Sequence, residues 1–222
     1  TVNTDGENMT EFGLLQGKGI IGFTDGIKTI QNSRIMNRIM NSASDLNSLI
    51  IQHAEDAELS KDGMINDGII ATKLGLQGIP VSAELLILER DLTLLEYNNC
   101  RYHISQISSA SSVEIIRERK KKVNFSCGVS INNLSLNEND IGDFKTFLKL
   151  SPPLRTEEDR NALVQGLVDE TIDVIVSDHK PEDEENKRLT FAQAETGASG
   201  IETLLPLSLE LYHNGSVKLE TI

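Results

Sequence analysis

Short apolar stretches that alternate with amphipathic ones constrain this chain more than any other feature. Ile20 to Phe23 runs into Thr24-Asp25-Gly26, and Leu49-Ile50-Ile51 runs into Gln52-His53-Ala54-Glu55-Asp56. Arg101 to Ile107, Val123 to Val129 and Ile172 to Val176 read as three further strands. Helical stretches separate them. Asn32 or Ser33 can cap a helix that runs to about Leu46, and Ser82 can cap one that carries Leu85, Leu86, Leu88, Leu92 and Leu95 on one face. Another runs from Ser111 or Ser112 to about Lys121. After Pro152-Pro153, Thr156-Glu157-Glu158-Asp159 opens a helix that reaches Val168, and a last one covers Ile201 to His213 before Asn214-Gly215. Ala57 to Pro80 reads as a long polar loop.

Strands that alternate with helices predict a mainly parallel α/β sheet. Periodicity alone does not separate an open sheet from a closed barrel. The barrel is favoured because Asp25, His53, Gln106 and Asp178 each stand just after a strand, where barrel active sites are assembled. No Gly-rich dinucleotide or P-loop fingerprint follows any strand, and no internal repeat is visible.

The 222 residues suffice for one domain with a sizeable core. A net charge of −13 argues against a nucleic-acid binder, which needs clustered Lys and Arg. The one basic run, Arg117 to Lys122, falls at a predicted helix end, where cations complement the helix dipole. No apolar run is long enough to span a membrane. Cys100 and Cys127 read as two free thiols in a reducing, cytoplasmic compartment. The chain opens on Thr1 rather than methionine and stops soon after Ser216, so we read it as an excerpt of a longer protein.

Four constellations carry chemistry. Carboxylate and imidazole from Asp25, His53 and Asp178 suit Zn²⁺ or a similar ion, which would lower the pKa of a water and polarise a carbonyl. Each also has a plain reading: Asp25 forms a turn before Gly26, His53 is a hydrogen-bonded strand end, and Asp178 is a cap. Asp178 and His179 are adjacent, so on a strand they point to opposite faces and share a cavity only if the chain has already turned. The acidic run from Glu182 reads as a solvated loop. In Lys149-Leu150-Ser151-Pro152-Pro153-Leu154-Arg155, Arg155 can clamp a substrate carboxylate or pair with the acidic start of the next helix. Gly197 and Gly200 in the Ala194 to Glu202 segment permit close backbone approach to a ligand.

Taken together these segments resemble the dihydroorotases of the amidohydrolase superfamily over nearly the whole chain. Gly63-Met64-Ile65-Asn66-Asp67-Gly68 and Leu74-Gly75-Leu76-Gln77-Gly78-Ile79-Pro80 resemble the family's Met-Asn-x-Gly and Leu-Gly-x-x-Gly-Ile-Pro loop. Ser151 to Arg155 resembles its Asn-Pro-Pro-Leu-Arg segment, Ile172 to His179 its strand-eight motif, and Gly197 to Pro206 its Gly-x-x-Gly-x-Glu-Thr-x-Leu-Pro helix. The resemblance implies a (β/α)₈ TIM barrel of the metal-dependent hydrolase type. This chain would be a partial barrel, from about the end of strand three to helix eight, in one domain over residues 1–222. It also implies one or two Zn²⁺ ions and a small-molecule reaction, the reversible conversion of N-carbamoyl-L-aspartate to dihydroorotate in pyrimidine synthesis.

Carried over position by position, Asp25 stands at the strand-four metal position, His53 at the strand-five histidine and Asp178 at the strand-eight base. Ser151, Arg155, Glu182, Thr196 and Gly197 fall at substrate-contacting positions. The departures are informative. Gln106 occupies the strand-six histidine position, Glu182 replaces a substrate-contacting His, Ser151 replaces an Asn, and Asn132-Asn133 stand where a His-His pair is common. Glutamine is a far poorer zinc ligand than imidazole. Three readings follow: a dihydroorotase, an inactive relative that serves as a structural partner of aspartate transcarbamoylase, or an amidohydrolase acting on a hydantoin or allantoin. The resemblance further implies an oligomer when full length.

Overall fold

The computed structural model describes residues 1–222. Its strands are β1 (Gly22–Phe23), β2 (Leu49–Gln52), β3 (Ile65–Asn66), β4 (Gly78–Ile79), β5 (Arg101–Ile107), β6 (Ser126–Ser130) and β7 (Val174–Val176). Five of them form one parallel sheet in the order β1-β2-β5-β6-β7, which is the order the strand–helix alternation predicts. The helices are α1 (Phe12–Gln16), α2 (Ser33–Asp45), α3 (Ile69–Leu74), α4 (Val81–Asn98), α5 (Ala110–Arg119), α6 (Ile131–Ser135), α7 (Glu157–Val168), α8 (Glu184–Lys187) and α9 (Ile201–His213). Helices α2, α4, α5 and α7 pack in series along one face of the sheet, as same-handed crossovers between parallel strands require.

Alternation along each strand divides the side chains. Ile50, Tyr102, Ile104, Cys127 and Val129 turn to the helices and build the main core with Met36, Met40, Leu88, Leu92, Ile116 and Leu163. The opposite face carries Ile51, Ser105 and Val176 and lines an open cavity. Burial pushes the Cys100 thiol up to about 11 and the Cys127 thiol up to about 12, so both behave as small core residues rather than nucleophiles.

Several boundaries differ from expectation. Strand β1 has two residues, and Ile21 lies outside it and exposed, because β1 has β2 as its single partner. Ser82 is not a cap: Pro80 holds the position before α4, with its fixed φ of −68°, and Ser82 is already helical. The α4 face toward the core is Ala83, Glu84, Ile87, Leu88, Asp91, Leu92 and Leu95, whereas Leu86 is exposed. The cap of α5 is Ser109, whose hydroxyl accepts from the Ser112 amide at 3.2 Å. The loop from Ala57 to Pro80 contains structure of its own, the parallel β3–β4 pair and α3. It packs Ile65 and Ala71 against Ile141, Leu150, Leu154 and Phe191 in a second, smaller core. The caps at Asn32 and Thr156 and the end of α9 at His213 fall where the sequence places them. Within the basic run, Arg117, Arg119 and Lys120 are paired with Asp169, Glu89, Glu96 and Asp173. No helix is long and apolar enough to cross a membrane.

Candidate active site

The cavity of about 770 Å³ at the C-terminal ends of the strands is built from strand-end residues and two loops. After β2, period-two alternation carries Ile51, His53 and Glu55 onto the cavity side. His53 is 3 % exposed, its carbonyl accepts from the Thr29 hydroxyl at 2.7 Å, and its Nε2 has no hydrogen-bond partner. The Glu55 carboxylate lies 3.7 Å from that nitrogen. Burial pushes the Glu55 carboxyl up, but His53, Ser60 and the charge of Arg155 outweigh this and hold it below its ordinary value.

A register slip in β5 places Gln106. Pairing with β6 shifts between Ile104 and Ile107, so the consecutive residues Ser105 and Gln106 both face the cavity. Gly128 in β6 makes room for the bulge, since a Cβ there would lie 2.5 Å from the Ser105 carbonyl oxygen. Gln106 Nε2 donates to Asp178 Oδ1 at 3.2 Å and to the Ser151 carbonyl at 3.4 Å. Its Oε1 is buried without a partner.

Asp178 follows β7 with φ of +48°, a conformation uncommon outside glycine. That turn allows both Asp178 and His179 to line the cavity, which a continuing strand would forbid. Burial raises the Asp178 carboxyl above its ordinary value, opposed by Gln106, His53, Ser130 and Lys180. His179 Nδ1 accepts from the backbone amides of Gly200 and Ile201 at 3.1 and 3.4 Å, at the start of α9.

Of the residues singled out by sequence, His53, Gln106, Asp178, Ser151, Thr196 and Gly197 line this cavity together. Ser151 Oγ donates to Glu55 at 3.5 Å. Three others do not join them. Asp25 follows β1 but lies outside this cavity; its carboxylate accepts from the Thr1 hydroxyl, and its neighbours Thr24 and Gly26 line the cavity in its place. Arg155 is neither a clamp in the cavity nor a partner of the α7 acids. Its guanidinium is buried and donates to Ser108 Oγ at 3.1 Å, Asn66 Oδ1 at 2.8 Å and the Ile79 carbonyl at 2.6 Å, which ties β3 and β4 to the sheet. Glu182 stays outside the cavity and sits 3.4 Å from Lys180 Nζ. Sequence reasoning missed Glu55, Ser60, Met64, Ser105 and Lys180 as lining residues. Glu55 was legible from its spacing to His53; the others arrive by loop path or bulge.

No group of three or more His, Cys, Asp or Glu side chains stands ready to hold a metal ion. The donor set that does exist is His53 Nε2 and Gln106 Oε1, both buried without a hydrogen-bond partner, beside the Asp178 carboxylate. An imidazole nitrogen, an amide oxygen and a carboxylate fit one divalent cation, weakly.

A parallel strand–helix sheet that gathers His, Gln and Asp at its C-terminal mouth defines a segment of a hydrolase-type (β/α) barrel. Solved structures agree on the fold. The L-hydantoinase (dihydropyrimidinase) of Arthrobacter aurescens superposes with a TM-score of 0.81 at 24 % identity, over 95 % of this chain and 50 % of that one. The dihydroorotase of Saccharomyces cerevisiae, in complex with 5-fluoroorotic acid, superposes with a TM-score of 0.72 at 17 % identity, over 95 % and 59 %. The profile of the Dihydro-orotase-like family matches residues 1–112. The dihydroorotase of Ehrlichia canis is 41 % identical over 214 residues, 96 % of this chain and 48 % of its own length. That of Syntrophus aciditrophicus is 41 % identical over 221 residues, 99 % and 52 %. The chain belongs to the dihydroorotase-like family, and it spans about half the length of the curated relatives it matches.

Proposed function

We propose that this chain supplies part of the active site of a dihydroorotase, interconverting N-carbamoyl-L-aspartate and dihydroorotate. The observation that carries the reading is the pair of buried atoms without a hydrogen-bond partner, His53 Nε2 and Gln106 Oε1, on residues that line one cavity with Asp178. Relatives named dihydroorotase at 37–41 % identity favour this substrate over a hydantoin or allantoin.

A zinc or similar ion bound by His53, Gln106 and Asp178 would acidify a water and polarise the ring carbonyl. The protein's own groups do the rest. Gln106 holds Asp178 Oδ1, which leaves Oδ2 to take the proton of the attacking water and return it to the ring nitrogen as the amide opens. Thr196, Gly197 and Ser151 border the ring. Asp25 and Arg155 have no part in this scheme.

A second reading has its own support: Gln106 in place of an imidazole suits a catalytically degenerate relative. Such a protein would act as a structural partner of aspartate transcarbamoylase. Dihydroorotate hydrolysis by the intact protein, compared with Asp178→Asn, separates the two. The enzyme reading expects turnover that falls by about a hundredfold or more in the variant, the scale of a lost general base. No turnover in the unmodified protein, together with co-purification of the transcarbamoylase, would establish the second.

A further inference from the structure

The Glu195-Thr196-Gly197 wall of the cavity belongs to no strand or helix, yet it is firmly attached. Its attachment is made by lysines. Lys149 Nζ donates to the carbonyls of Phe191 at 3.0 Å, Ala192 at 3.1 Å and Ala194 at 2.8 Å. Lys187 Nζ donates to Glu195 O at 2.6 Å and to Thr146 O at 3.1 Å. Lys180 Nζ donates to Thr196 O at 2.6 Å. The Gly197 amide in turn donates to Lys149 O at 2.8 Å, next to the Ser151 turn.

The side chains involved are unusual. Lys149 and Lys187 are 8 % and 5 % exposed, and neither forms an ion pair. A buried ammonium without a carboxylate is costly unless its protons are matched to acceptors. Here the acceptors are main-chain carbonyls, whose bonds to an ammonium are charge-assisted. The ammonium groups therefore do for this segment what a ladder of amides does for a strand.

We infer that Lys149, Lys180 and Lys187 form an ammonium clamp that positions the Glu195–Gly197 wall against a ring-shaped substrate. They are positioning residues, acting through the backbone they hold. The substrate part rests on the dihydroorotase reading above; the clamp itself does not. Lysine is required at the buried positions because methionine matches its length but brings no donor, while arginine would need more space.

Hydrogen exchange across residues 190–197 in the intact protein, in Lys149→Met and in Lys180→Met tests the clamp. The half-exposed Lys180 provides a variant whose folding is not at risk. The expected result is exchange at least about tenfold faster in that segment of each variant, with β5 and β6 unchanged. A rise in KM for dihydroorotate with kcat nearly constant should accompany it, and Lys180→Arg should recover part of the loss. Unchanged exchange in 190–197, loosening spread equally over β5 and β6, or a loosened wall with unchanged KM would each overturn the proposal. Absence of turnover in the unmodified protein would count against the dihydroorotase reading alone, because the exchange measurement decides the clamp in either case.

Discussion

Burial decides which side chains reach the site. Arg155 shows this: its sequence context suggests a carboxylate clamp, but the β3–β4 excursion covers it and provides Asn66 and Ile79 as acceptors. Nothing in a linear pattern announces that covering layer. Asp91 is a similar case on the helix side. It is fully buried, salt-bridged to Arg90 at 2.7 Å, and accepts from Tyr102 Oη at 2.8 Å and Gln52 Nε2 at 3.2 Å. Tyr102→Phe should lower stability by about 1–3 kcal/mol, the cost of leaving a buried charged acceptor short of a donor, read as a lower urea midpoint with an unchanged slope. An unchanged midpoint would mean that Arg90 and Gln52 suffice. Burial also raises the Asp91 carboxyl above its ordinary 3.8. The folded protein thus holds this proton more tightly than the unfolded chain, and stability from Asp91 falls as pH rises through 3.8 towards the raised value.

Elements were more legible than their edges. Strand order, parallel sense and the caps of α2 and α7 follow from apolar alternation and from Asn and Thr at fixed offsets. The register slip in β5 was not legible, because it depends on Gly128 in a neighbouring strand, and it alone brings Ser105 and Gln106 to one side. The α7 start offers a direct check. Thr156 Oγ1 accepts from the Asp159 amide at 3.2 Å, and the Asp159 carboxylate accepts from the Thr156 amide at 3.1 Å. Thr156→Ala should cost about 1 kcal/mol, and thermal unfolding that does not change would show the box to be incidental. At the same helix start, the Arg160 guanidinium holds the exposed Glu157 carboxyl down to about 2. A depressed carboxyl stabilises above its unfolded value, so this contribution is lost as pH falls from 4.5 towards about 2. It is small at so exposed a position, and Glu157→Gln should flatten that part of the acid-unfolding curve slightly.

At the scale of the molecule, five parallel strands and their outer helices form a barrel segment whose open inner face carries the cavity. On the proposed reading, Gln106 is the weak member of the ligand set, standing where the family resemblance implies a histidine, and its amide binds Asp178. The central claim is that this cavity is a cation-dependent hydrolytic site weakened by that amide. The direct test is the zinc content of the intact protein and of Gln106→His, measured by elemental analysis beside dihydroorotate hydrolysis. The account predicts loosely held zinc, below about two ions per chain, in the unmodified protein, and more zinc with faster hydrolysis in Gln106→His, since imidazole is the stronger ligand. Two tightly bound ions with brisk turnover before any substitution, or no zinc in either protein, would contradict it.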